Sequence, residues 1–108
     1  MDDLRAIHEH PEEWQILDVR EPDEWAAGRI EGAIHVPLAA LLAGQEKGRL
    51  DAGKKVGVVC RSGNRSELAS ELLRARGYDA HNMEGGMQSW EALGLPYSAP
   101  DGGPGRVA

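Results

Sequence analysis

The one thiol of this chain, Cys60, lies in the stretch Val-Gly-Val-Val-Cys-Arg-Ser-Gly-Asn-Arg-Ser, residues 56–66. The stretch is apolar up to Val59 and polar and flexible after it, and a helical pattern then begins. That order predicts a buried strand, a tight loop and a helix N-terminus, with the thiol at the strand's end. Backbone N–H groups in such a loop can converge into an anion-binding nest. The helix behind it adds unpaired N–H groups and the positive end of its dipole. The thiolate is the nucleophilic form of cysteine, and a free thiol ionises near ~8.5. A helix N-terminus together with Arg61 and Arg65 lowers that value toward neutral pH. Both arginines also offer forked donors to an oxyanion. The bland alternative is an inert buried cysteine closing a strand. The Arg-Ser-Gly-Asn-Arg loop argues instead for a nucleophile.

The rest of the chain has to hold that loop. Residues 2–13 predict a short helix ending in a turn at Pro11, with Leu4 and Ile7 on one face and Asp2 and Asp3 at its acidic start. His8 and His10 flank Glu9, but no third ligand follows nearby, so an exposed polar face is preferred over a metal site. Residues 15–19 predict the first strand, and Glu21-Pro22-Asp23-Glu24-Trp25 opens a short helix. Asp18, Arg20 and Glu24 read as structural support, an ion-pair and hydrogen-bond network rather than catalytic charges. A two-glycine turn over 28–33 leads to a short strand at 33–36, where His35 reads as a hydrogen-bonded strand-end residue. Pro37 starts a helix over 38–43 with Gly44 after it. A polar connection over 45–55, with a helical turn near 48–51, reaches the thiol strand.

The helix after the loop is expected over 64–76, with Asn64 and Glu67 spaced as a capping box. Leu68, Ala69, Leu72 and Leu73 form its apolar stripe. Gly77 ends it, and Arg74 and Arg76 suit its C-terminal dipole and solubility. A last strand falls within 78–83. Gly85 and Gly86 then permit positive φ or close approach of another backbone. A final helix over 87–93 turns Trp90 and Leu93 inward. Residues 1–98 thus form a single domain, and the Gly- and Pro-rich tail, 99–108, is expected to be loosely ordered. Strands alternating with helices imply an α/β domain: a mostly parallel sheet of four to five strands with helices on both faces. Sites in such sheets lie beyond the carboxyl ends of the strands, where Cys60 falls.

Composition narrows the function. A length of 108 residues allows one real core. The net charge of −6 argues against nonspecific nucleic-acid binding and requires any anion site to be local. No apolar run reaches a membrane span or a secretory leader, and a single cysteine fits a reducing, cytoplasmic setting.

Taken in order, several pieces carry a resemblance. They are Leu17-Asp18-Val19-Arg20-Glu21 with Glu24-Trp25, then Gly28-Arg29-Ile30-Glu31-Gly32-Ala33-Ile34-His35-Val36-Pro37. Val59 to Ser66 follows, then Met83-Glu84-Gly85-Gly86-Met87 with Trp90 and Gly94-Leu95-Pro96. Across residues 14–97 the chain resembles the rhodanese-like sulfurtransferase family. It departs in having only about a dozen residues before the Leu-Asp-Val-Arg strand, so the family's first strand is expected to be missing or short.

The resemblance implies a rhodanese-like three-layer α/β/α fold and a two-step transfer. Cys60 takes the outer sulfur of a small anionic donor such as thiosulfate, and cyanide or an external thiol removes it from the persulfide. The amides of Arg61, Ser62, Gly63, Asn64, Arg65 and Ser66 would bind the charged sulfur. Arg61 and Arg65 would hold the donor, and Ser62 or Ser66 would add a hydroxyl. No cofactor or metal is implied. With no second cysteine the persulfide cannot close to an internal disulfide, so its sulfur must leave to an outside acceptor. A related phosphatase or arsenate reductase would carry five residues between Cys and Arg, whereas Cys60 and Arg65 enclose four. The remaining alternatives are a persulfide relay to a protein sulfur acceptor and a non-catalytic rhodanese-like binding module.

Overall fold

The strand leading to Cys60 forms the middle of a parallel sheet. In the computed structural model, which describes residues 4–108, this strand is β3 (Lys55–Val59). The other strands are β1 (Trp14–Asp18), β2 (Ile34–His35) and β4 (Ala80–Asn82). Their spatial order is β2-β1-β3-β4, and every pairing is parallel. Val56, Gly57, Val58 and Val59 are all buried, because a central parallel strand is covered on both faces. Leu17 pairs in register with Val58, and Asp18 with Val59, so β1 and β3 end at the same edge. No strand precedes β1 among the described residues.

Helices cover both faces, as the alternation implies. The helices are α1 (Leu4–Glu9), α2 (Pro22–Ala27), α3 (Leu38–Leu42), α4 (Asn64–Ala75) and α5 (Gly86–Ala92). On one face α3 and α4 enclose Leu17, Val19, Val56, Val58 and Cys60 with Leu41, Ala69 and Leu73. On the other, Leu4 and Ile7 of α1 and Met87 and Trp90 of α5 pack on Trp14, Val59 and Met83. Side chains alternate across a strand, so Val56, Val58 and Cys60 share the α4 side. The acidic helix start expected at Asp2 and Asp3 lies outside the described residues.

The structure corrects several local expectations. Asn64 does not cap α4: Gly63 is the N-cap, at φ 105°, and no side chain caps the helix. Leu68 is 51% exposed, and the buried face of α4 is Ser66, Ala69, Ser70 and Leu73. Two of those four are serines, which a search for apolar periodicity passes over. Leu93 is 37% exposed because α5 stops at Ala92. The chain then turns through Gly94 and brings Leu95 against the core instead. The 48–51 segment turns without forming a helix.

Arg76 does more than face solvent. It pairs with the buried Glu46 at 2.8 Å and donates to the Leu41 carbonyl at 2.8 Å, tying α4 to the end of α3. Arg74 donates to the Ala80 carbonyl. The tail also makes contacts that its composition does not suggest. Pro104 bridges Ser98, which itself bridges Arg29; the Arg106 amide donates to the Ala27 carbonyl, and Val107 packs on the α1–α5 core.

Candidate active site

Three elements meet around Cys60. The thiol ends β3, α4 starts four residues later, and β4 lies alongside. Cys60 is 1% exposed. The Gly63 amide donates to Sγ at 3.1 Å and the Ser66 amide at 3.4 Å. The Ser66 hydroxyl oxygen lies 3.3 Å from the same sulfur. Of the six amides predicted to ring the sulfur, those of Gly63 and Ser66 reach it in the resting protein, and that of Ser62 also acts on it.

The loop's amides can turn inward because its carbonyls are engaged outside. Met87 donates its amide to the Cys60 carbonyl at 2.8 Å, and Gln88 to that of Arg61 at 3.0 Å, both from the first turn of α5. Asn82 of β4 donates Nδ2 to the Gly63 carbonyl at 3.2 Å and accepts the Ser66 hydroxyl at 2.5 Å. Gly86 makes the approach of α5 possible, while Gly85, at positive φ before it, leaves room for Ser89 of the same helix. A Cβ on Gly86 would lie 2.3 Å from the Cys60 carbonyl oxygen, and its φ is +56°. The sequence marks this close approach through the paired glycines. Asn82 and the α5 amides leave no such mark, since an asparagine late in a strand has many uses.

These contacts set the thiol's chemistry. Burial pushes the Cys60 thiol up, and the donors that can face it draw it down: the Ser66 hydroxyl when its proton is turned to the sulfur, and the amides of Ser66, Gly63 and Ser62. The net is a thiol below its ordinary value, because several donors favour the anion over the neutral form.

The two arginines have different fates. Arg65 points to α2, where Nη1 and Nη2 meet the Glu24 carboxylate at 2.6 and 2.8 Å in a forked pair. The pair raises Arg65 further above its ordinary range, and Arg65 first, against burial, holds the Glu24 carboxyl below the usual carboxylate range. Glu24 also closes a capping box with Glu21 at the start of α2. Its carboxylate therefore hydrogen-bonds to the loop through Arg65, and its backbone carbonyl accepts from Arg20 of the Asp18–Arg20 network. Arg61, Ser62 and Asn64 are exposed at the rim.

Asp18 and Arg20 form a separate, wholly buried pair at 2.8 Å. Arg20 also donates to the carbonyls of Gly28 and Glu24, which ties β1 to both ends of α2. His35 stacks on Trp25 at 4.5 Å, and its Nε2 meets the Arg20 carbonyl. The one trio of metal-capable side chains among the described residues is His10, Glu12 and Glu13, exposed on the turn before β1. That turn lies at the opposite sheet edge from Cys60, and exposed acidic groups of this kind are common without a metal.

The fold and this loop define a class. The rhodanese-like domain model matches residues 1–93, and the chain belongs to that family. Its relatives include proteins named as sulfurtransferases. YtwF of Bacillus subtilis, named provisionally as a sulfurtransferase, is 39% identical over 93 residues, covering 86% of this chain and 88% of YtwF. The thiosulfate sulfurtransferase GlpE of Pseudomonas putida is 35% identical over 78 residues, 71% of this chain and 69% of GlpE. Among solved structures, a rhodanese-related protein from Thermoplasma volcanium superposes with a TM-score of 0.76 at 38% identity. The match covers 87% of this chain and 92% of that one. No helix among the described residues is long and apolar enough to cross a membrane.

Proposed function

We propose that the protein is a sulfurtransferase that carries sulfane sulfur as a persulfide on Cys60, with thiosulfate as a donor. The observation that carries this reading is the convergence of the Gly63 and Ser66 amides on Sγ. In the first step the Cys60 thiolate attacks the outer sulfur of thiosulfate. The sulfur–sulfur bond of the donor breaks with its electron pair, sulfite leaves, and Cys60 holds a persulfide. In the second step cyanide or a thiolate attacks the outer sulfur. The persulfide bond breaks, the Cys60 thiolate returns, and thiocyanate or an acceptor persulfide departs.

Charge resides on sulfur throughout, so fixed N–H donors aimed at it act as an oxyanion hole does. The ring is small, which suits a single sulfur atom rather than a tetrahedral phosphate. Arg61, exposed at the rim, is the cation free to meet an anionic donor; Arg65 acts with Glu24 as a brace and lends a more distant positive charge. A cytoplasmic setting fits a thiol that must stay reduced.

The test is intact mass after incubation with thiosulfate. Wild type should gain one sulfur, lose it to cyanide, and release sulfite and thiocyanate in equal amounts, while Cys60→Ser gains nothing. No adduct from thiosulfate but one from a small-molecule persulfide would make the protein a relay to a protein acceptor. No adduct from either would leave a binding module.

A further inference from the structure

Ser66 holds one hydroxyl proton, and two neighbours compete for it. Its Oγ lies 3.3 Å from Cys60 Sγ and 2.5 Å from Asn82 Oδ1. The orientation of the Asn82 amide decides between them. Its other end faces the Gly63 carbonyl at 3.2 Å. A flipped amide would set two oxygens against each other there, so Nδ2 must face Gly63 and Oδ1 must face Ser66. Only the hydroxyl can supply the proton between Ser66 Oγ and Asn82 Oδ1. The resting hydroxyl therefore presents a lone pair to the sulfur. A protonated Cys60 can donate into that lone pair, completing a chain from thiol to hydroxyl to amide. A thiolate meets it unfavourably unless the hydroxyl turns and gives up Asn82.

We propose that Asn82 is a positioning residue that restrains Cys60 through Ser66, holding the hydroxyl proton away from the sulfur until negative charge develops there. The device is sensitive to the load on the loop. With the thiol at rest, Asn82 keeps the proton; when charge builds on sulfur during transfer, rotation of one hydroxyl brings a donor to it. Replacing Asn82 still leaves the Gly63 carbonyl a donor, since it also accepts the Glu67 amide at 3.2 Å. Ser66 itself is anchored independently, its carbonyl accepting the Ser70 hydroxyl at 2.7 Å.

The inference concerns the same thiol as the proposed function, but its readout is ionisation of the free protein, so failure of sulfur transfer would leave it standing. The test is a thiolate-absorbance titration of wild type, Asn82→Leu, Ser66→Ala and the double variant, with folding checked by circular dichroism. The charged groups around the loop are Arg61 within it, Glu67 in the first turn of α4, Arg65 paired with Glu24 of α2, Glu21 before α2, and Glu84 before α5. They are common to all four proteins. Freed from Asn82, the hydroxyl should donate to the thiolate, and a hydrogen bond to a charged group is worth about tenfold in an equilibrium. Asn82→Leu should thus hold about tenfold more thiolate than wild type at a pH below the midpoint. The same substitution should change little when Ser66 is already alanine. No increase in Asn82→Leu, or an equal increase in the Ser66→Ala background, would overturn the proposal. Ser66→Ala alone provides a second check that does not alter Asn82: a change under about twofold is expected, whereas a tenfold loss of thiolate would mean that Ser66 already donates to sulfur.

Discussion

Two polar clusters sit at the same edge of the sheet, and they are built in opposite ways. Around Arg20 the guanidinium donors all close on permanent acceptors: the Asp18 carboxylate through three contacts, then the carbonyls of Gly28 and Glu24. Both side chains are fully buried, and nothing in the pair is left to react. Around Cys60 the donors converge instead on one polarisable atom that can gain or lose a proton and that, in the proposed function, takes on another sulfur. A closed network locks β1 to α2; an open one holds its surroundings fixed while its centre changes state. Burial alone does not separate scaffold from site, since both centres are hidden from water. The difference is whether the donors find a permanent acceptor.

The largest effect should come from removing the centre of the open network. Cys60→Ser should lower sulfur transfer by at least about a thousandfold, to background, with the urea midpoint nearly unchanged. In wild type, alkylation of Cys60 should reach its half-maximal rate at a lower pH in the folded protein than in the same chain unfolded in urea, because the native thiol lies below its ordinary value.

Breaking the closed network should have the reverse signature. Arg20→Leu leaves Asp18 buried and unpaired and should cost about 3–5 kcal/mol in urea unfolding. Residual folded protein should still accept one sulfur from the donor by intact mass.

A pair of glycine variants tests the seam between loop and α5. Gly86→Ala drives a Cβ into the Cys60 carbonyl and should cost more than about 2 kcal/mol while slowing Cys60 alkylation. Gly77→Ala, also at positive φ but with nothing within 4 Å, should cost only the left-handed backbone term of about 1 kcal/mol and leave the thiol untouched. Equal losses and equal alkylation rates would mean that α5 does not hold the loop.

The smallest effect belongs to the bridge between the two regions. The Glu24–Arg65 pair is partly exposed, so Glu24→Gln should cost under about 1 kcal/mol at neutral pH. The folded carboxyl lies below its ordinary value of ~4.3, so its stabilisation is full above that pH and is lost as pH falls through the folded value. Urea midpoints of wild type and variant, measured from pH 6 to pH 3, should therefore converge on the acid side.

The amino-acid sequence by itself determined the parallel α/β plan, the thiol at the end of an apolar strand, and the glycine pair that admits α5. Each is written locally, in a hydrophobic run, a change of period or a residue without a Cβ. Of the expected apolar stripe of α4, Ala69 and Leu73 are buried and Leu72 packs against them, and only Leu68 is misplaced. Ser66 and Ser70 complete the buried face, with Ser66 hydrogen-bonded at the Cys60 loop, while Leu68 faces water. Only the tertiary structure decided that Arg65 spends its fork on Glu24, 41 residues away, and that Asn82 and the α5 amides hold the loop. Those contacts join segments distant in the chain, where neither spacing nor propensity carries a signal. The geometry of the sulfur's surroundings is therefore settled by packing, while the sulfur's position at the end of its strand is written in the chain.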